Sequence, residues 1–181
     1  EPRGLAAVLA DGAPVVVTGA LGAGKTTTLA YLAVSNAHAM RSHPKPYVPL
    51  FFSGHDLAPQ ALPRITDLAR DLNLGPRLAA QCPRIFFPDV FNSQRALVLI
   101  DDADALPPEQ LQLWLNELKG ARIIATAQSA LAGFVEFPLP GFRDSDIEPF
   151  AKKWDATNGA AAFLAALKSG SVPRTLTANP L

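Results

Sequence analysis

The stretch Gly19-Ala20-Leu21-Gly22-Ala23-Gly24-Lys25-Thr26 constrains this chain more than any other. It matches the pattern GxxxxGK[ST], whose glycines let successive backbone N–H groups converge on a phosphate with almost no side-chain bulk in the way. Gly19, Ala20, Gly22, Ala23, Gly24 and Thr27 are therefore the expected nucleotide-binding backbone. Lys25 would add a point charge at the outer phosphates, and the Thr26 hydroxyl is a candidate Mg²⁺ ligand. A helix opening at Lys25 turns its positive end to the same anion. The flanks agree: residues 14–18 (PVVVT) form a β-branched run, and residues 27–35 carry Leu29, Leu32 and Ala33 at helical spacing. A glycine-rich turn with no ligand is the competing reading, and a strand before with a helix after disfavours it.

A second stretch completes the pattern. Ala96-Leu97-Val98-Leu99-Ile100 is a continuous aliphatic run of the kind a parallel sheet buries on both faces, and it ends in Asp101-Asp102-Ala103-Asp104. An aliphatic strand ending in Asp can hold a metal shell through its first carboxylate, here Asp101. A following acid, Asp102 or Asp104, can then orient or deprotonate a water as the catalytic group. Acids also end strands simply as turn formers, and only the glycine loop upstream lifts Asp101 above that reading. A further strand over residues 121–126 closes in Ala127-Gln128-Ser129, making Thr126 and Gln128 candidate sensors of the terminal phosphate; a plain polar strand end is the alternative.

The rest of the chain supplies the frame. Residues 48–53 (VPLFFS) form a second strand, and Pro49 places it at a sheet edge. Residues 57–74 carry a helical pattern interrupted at Pro63, residues 78–90 are helix plus loop, and residues 107–119 are a helix closed by Gly120. Residues 134–137 (FVEF) are a fifth strand, and residues 4–10 a short amphipathic helix. Strands alternating with helices, with one extra strand between the loop strand and the acidic strand, predict an α/β three-layer sandwich. Its parallel five-stranded sheet has the order 5-1-4-3-2. The nucleotide-binding domain is expected over residues 1–138. A helical lid segment over 139–181 opens with the capping-box spacing Ser145-x-x-Glu148 and continues through the alanine-rich residues 158–167.

Composition narrows the partners. Sixteen basic and sixteen acidic residues cancel, which argues against nucleic acid or an anionic membrane surface, and no apolar run approaches the length of a membrane span. The single Cys82 cannot form an internal disulfide, which fits a reducing, cytoplasmic setting. The absence of an initiating Met and of a polar tail reads as an excised piece of a longer chain with flanking domains. His38, His43 and His55 lack metal-ligand spacing, and Lys153-Trp154-Asp155 lacks the Asn or Thr that a guanine-reading motif needs at Lys152.

These stretches resemble the NACHT group of the STAND nucleotide triphosphatases, over nearly the whole chain. Tyr47-Val48-Pro49-Leu50-Phe51-Phe52 is similar to the family's second strand and residues 96–106 (ALVLIDDADAL) to its acidic strand. Phe137-Pro138-Leu139-Pro140-Gly141-Phe142 is similar to its junction with the helical segment, and Asn179-Pro180-Leu181 to the tripeptide that closes that segment. The resemblance implies a P-loop NTPase fold, Pro180 as a contact of the base, and ATP or ADP with Mg²⁺ as the ligands, GTP remaining an alternative. It also implies a slowly hydrolysing switch within a signal-transduction protein, with nucleotide-dependent self-association. Two places depart from the pattern. Asp102 and Ala105 stand where the family has a small residue and a Glu, which keeps both Asp102 and Asp104 as catalytic candidates. Gln128 stands where the family often has an arginine sensor. The rival readings are a nucleotide-held scaffold without turnover, an AAA+-type ATPase acting on DNA, and, least favoured, a small-molecule kinase.

Overall fold

A computed structural model describes residues 12–58 and 65–140, together with 149, 165 and 169. Contacts divide the chain into two compact units, Glu1–Thr18 with Lys25–Phe137 and Gly19–Gly24 with Pro138–Leu181. The first is an α/β unit built on five strands: β1 (Val15–Thr18), β2 (Val48–Ser53), β3 (Ala96–Asp101), β4 (Arg122–Ala127) and β5 (Val135–Pro138). All are parallel, in the order β2-β3-β4-β1-β5, which is the predicted 5-1-4-3-2 read from the other edge.

The burial of each strand follows from its place in that order. Central β1 and β3 are buried at every position, as helices on both faces require, whereas β2 alternates between buried and half-buried residues. Pro49 in β2 costs no ladder bond on the open side of an edge strand. The N–H of Phe51 in that strand donates instead to Asn73 Oδ1, so a side chain from a neighbouring helix covers part of the edge.

Helices α1 (Lys25–Ala39), α2 (Gly54–Leu57), α3 (Ile65–Asn73), α4 (Pro76–Gln81), α5 (Phe86–Asn92) and α6 (Pro108–Glu117) fill the connections, with one 3₁₀ turn at Ala103–Ala105. On one face of the sheet Leu50, Phe52, Val98, Ile100, Ile123 and Ala125 join Leu68 of α3, Phe87 and Val90 of α5 and Trp114 of α6 in a single apolar core. Side chains one residue out of step (Val15, Val17, Leu97, Leu99, Ile124) point to the other face by the two-residue period of a strand. There α1, with Leu29 fully buried, packs along β2, β3 and β4.

The helical pattern expected over residues 57–74, with its interruption at Pro63, falls on two described helices. Ser53 caps α2 by accepting the His55 N–H at 3.2 Å, Ala58 is the C-cap of α2, and α3 covers Ile65–Asn73; residues 59–64, Pro63 among them, lie outside the described residues. Residues 78–90, expected as helix plus loop, are two helices. Pro76 starts α4 and Pro88 sits in the first turn of α5, where a missing N–H removes no intrahelical bond.

In the second unit, the described residues are the glycine loop, Pro138–Pro140 and the isolated positions 149, 165 and 169. Gly22 and Gly24 have φ of 78° and 87°, a left-handed backbone that only glycine adopts without strain. The Ala23 N–H closes a turn on the Ala20 carbonyl at 3.1 Å. A Cβ on Gly19 would stand 3.2 Å from the Ala23 methyl and 3.4 Å from the Leu139 carbonyl, so a larger residue at the first glycine of the loop requires a neighbour to give by a few tenths of an ångström. Apart from Pro149, Ala165 and Ser169, of which the Ser169 N–H donates to the Ala165 carbonyl at 3.0 Å, the expected helical lid lies outside the described residues, Pro180 and the capping box included, as does the helix expected over residues 4–10.

Candidate nucleotide site

Lys25 and Thr26 open α1 directly after the glycine loop. Lys25 is 8% exposed and Thr26 is exposed. The Lys25 charge adds to the positive end of the backbone dipole at the first turn of α1, a combination that favours an anion placed there.

The acids come from the end of β3. Asp101, 8% exposed, is the last residue of the strand, and by alternation it shares the α1 face of the sheet with Leu97 and Leu99. Its Oδ1 accepts the Thr126 hydroxyl at 2.6 Å, and Thr126, from β4, is wholly buried. The same hydroxyl oxygen accepts the backbone N–H of Asp102 at 2.9 Å. Asp102 then turns the chain with φ 50° and ψ 52°, and its carbonyl accepts the Ala105 N–H at 3.0 Å, starting the 3₁₀ turn. Its carboxylate is exposed and makes no hydrogen bond among the described residues. Asp104, also exposed, accepts the Gln128 backbone N–H on Oδ2 at 2.9 Å.

The residues singled out in the sequence therefore fall into two groups. Asp101, Asp102, Asp104, Thr126 and Gln128 are brought together by hydrogen bonds between the ends of β3 and β4. Gly19, Ala20, Gly22, Ala23 and Gly24 form the tight loop of the second unit, with Lys25, Thr26 and Thr27 continuing into α1. Within the first group the two sensor candidates differ. The Thr126 hydroxyl is engaged on both its donor and its acceptor side, whereas the Gln128 side chain is exposed and only its backbone is bound.

Gly54 is a site residue that the sequence reading missed. A Cβ placed on it would lie 2.1 Å from the Asp102 carbonyl oxygen, 2.9 Å from the Asp102 carbonyl carbon and 3.3 Å from the Asp101 carbonyl oxygen. No real methyl fits there. The signal was available once the strand order was written down. Parallel register sets Ser53 beside Asp101 and Ile100 beside Ala125, so counting one residue further puts Gly54 and Thr126 against the acidic turn from opposite sides.

The donor set suits a triphosphate and a hard divalent cation. Each taken by itself, the positive-φ glycines of the loop suit a phosphate, and the Asp101 carboxylate, with one oxygen that makes no hydrogen bond among the described residues, suits a divalent cation. A β-branched strand running into a glycine loop and helix, within an all-parallel sheet of this order, defines a P-loop nucleotide-binding domain. The family model for the NACHT domain matches residues 13–157, well over half of the chain, and the chain belongs to that family. It is accordingly a nucleotide-binding domain of an NTPase family. Comparison with curated proteins gives no match. Among the described residues no helix is long and apolar enough to cross a membrane.

Proposed function

We propose that this chain is a Mg²⁺-dependent ATP switch: it binds the nucleotide, hydrolyses it slowly, and passes the difference between triphosphate and diphosphate to the rest of a signalling protein. The observation that carries the proposal is the glycine loop running into α1: the left-handed Gly22 and Gly24 stand directly before Lys25 at the positive end of that helix. Converging loop N–H groups, the helix end and the Lys25 charge all favour a phosphate. Backbone N–H groups of Gly19, Ala20, Gly22, Ala23, Gly24 and Thr27 would bind the phosphate oxygens, Thr26 and Asp101 would hold Mg²⁺, and Pro180 would contact the base. The metal, when bound, supplies charge neutralisation at the outer phosphates. Asp102 or Asp104 would orient the attacking water, and Gln128 is the sensor candidate with an exposed side chain. A cytoplasmic setting, flanking domains and nucleotide-dependent self-association belong to the same reading.

One feature favours a second reading, a nucleotide-held scaffold with little turnover. The sensor place carries the uncharged Gln128, and Asp104 already has one carboxylate oxygen committed to the backbone of that residue. A site with no cation there stabilises developing charge poorly.

Equilibrium titration with ATP and GTP, with and without Mg²⁺, and a phosphate-release assay test both. Lys25→Ala should weaken ATP binding about 10- to 100-fold, the loss of one charge-assisted contact of about 1.5–3 kcal/mol, while the melting temperature holds. Undiminished affinity in that variant would remove the site assignment. Turnover that drops in only one of Asp102→Asn and Asp104→Asn identifies the water-orienting acid. Equal, near-zero rates in both and in the parent chain would leave the scaffold.

A further inference from the structure

We infer that the acidic turn is positioned from both sides, by Thr126 on β4 and Gly54 after β2, and that Thr126 determines which oxygen of Asp101 is left to face the metal. The inference rests on the nucleotide reading above and deepens it. The proton on Thr126 can be located by elimination. A backbone N–H can only donate, so at 2.9 Å from the Asp102 nitrogen the Thr126 oxygen must be the acceptor. Its own single proton is then free for only one partner, and Asp101 Oδ1 stands 2.6 Å away. The short distance is that of a hydroxyl donating to a carboxylate. Oδ1 is thereby committed, and Oδ2, which makes no hydrogen bond among the described residues, is the oxygen presented to the metal.

Gly54 fixes the same turn from its other edge. With the Asp102 carbonyl oxygen 2.1 Å from where a Cβ would be, the backbone at Gly54, the first residue of α2, lies flush against the Asp101–Asp102 segment, and any side chain at residue 54 must drive that segment away. Asp102 holds φ 50°, a conformation uncommon outside glycine and costing about 1 kcal/mol or more. The Thr126 oxygen on its N–H and the Ala105 N–H on its carbonyl keep it there. Thr126 is in this account a positioning residue that acts through Asp101, and it does not read the terminal phosphate itself.

The test compares Thr126→Val, which keeps shape and removes the hydroxyl, with Thr126→Ser, which restores it, and with Gly54→Ala. For each, ADP binding without metal and the Mg²⁺ concentration that half-saturates ATP binding are measured beside the melting temperature. Thr126→Val and Gly54→Ala should leave metal-free ADP affinity within about twofold of the parent and raise the half-saturating Mg²⁺ about tenfold, equivalent to about 1.4 kcal/mol. Thr126→Ser should return it to within about twofold. A merely structural role would lower the melting temperature without this split. If Thr126→Val does not fold, Thr126→Cys, of similar size with a weak donor, takes its place in the comparison. Unchanged Mg²⁺ dependence in the valine or cysteine variant, in a parent chain that binds nucleotide through Lys25, overturns this inference alone. A parent chain that binds no nucleotide with or without Mg²⁺ overturns both.

Discussion

The sheet contains two threonine–carboxylate pairs that look alike on paper and are built oppositely. At the end of β3 the carboxylate of Asp101 accepts from Thr126 at 2.6 Å, with the threonine fully buried on the neighbouring central strand. At the end of β1, Thr18 donates to Glu136 of β5 at 2.8 Å, with the carboxylate exposed on the sheet edge. The first pair has a third member, the Asp102 N–H, which fixes the direction of the hydroxyl; the second has none among the described residues. Water reaches the carboxylate of the second pair, whereas both members of the first are buried. Position in the strand order, more than residue type, decides which pair is a rigid element and which is an adjustable one.

If burial is what separates them, Thr126→Val should be the costliest single change at either pair. It strips the donor from Asp101 Oδ1 and the acceptor from the Asp102 N–H together, and one unsatisfied buried polar group costs about 1–3 kcal/mol. For a chain of this size each kcal/mol lowers the melting temperature by about 2–4 °C. Thermal melts of Thr126→Val and Thr126→Ser measure it, and a valine variant that melts with the parent would show that the network holds nothing in place.

How much of this was readable in the residues alone follows the same division. The parallel sheet and its order were legible because each strand is a separate β-branched or aliphatic run, and because Pro49 marked its strand as an edge before any coordinate was known. Asp101 was legible as the first polar residue after five aliphatics. Thr126 was singled out as a candidate sensor from its place at a strand end, but its hydrogen bonds to Asp101 and Asp102 were not legible until register set it beside Asp101. Gly54 was invisible for a similar reason. The meaning of a glycine after a strand depends on what lies across from it, and here that is a carbonyl contributed by a residue 48 positions later in the chain. Pattern reading captures what one segment says about itself, and both the Thr126 contacts and the close approach at Gly54 are statements about a neighbour. The helical boundaries failed on different ground. Pro88 looked like an interruption because periodicity does not say where a helix begins, and a proline in the first turn is compatible with one.

Thr18→Val should be the middle case. Thr18 is buried, but its partner is exposed and can turn to solvent, and valine suits a central strand at least as well as threonine. The expected cost is about 0–1 kcal/mol. A loss as large as that of Thr126→Val would mean that the β1–β5 pair is the more rigid of the two, and that the comparison has the wrong cause.

Glu136→Gln should have the smallest effect. The amide oxygen of glutamine can still accept from the Thr18 hydroxyl, so only the charge is removed, and at an exposed position such a change stays within about 0.5 kcal/mol. Because the two residues touch, the informative number is their coupling in a double-mutant cycle with Thr18→Val, read from denaturant melts of the four chains. A coupling near zero fits an exposed Glu136 that is as well satisfied by water as by the Thr18 hydroxyl. A coupling above about 1 kcal/mol would show that the edge strand is fastened to the last residue before the glycine loop. Glu136 would then join Thr126 among the groups that hold a strand end in register with the site.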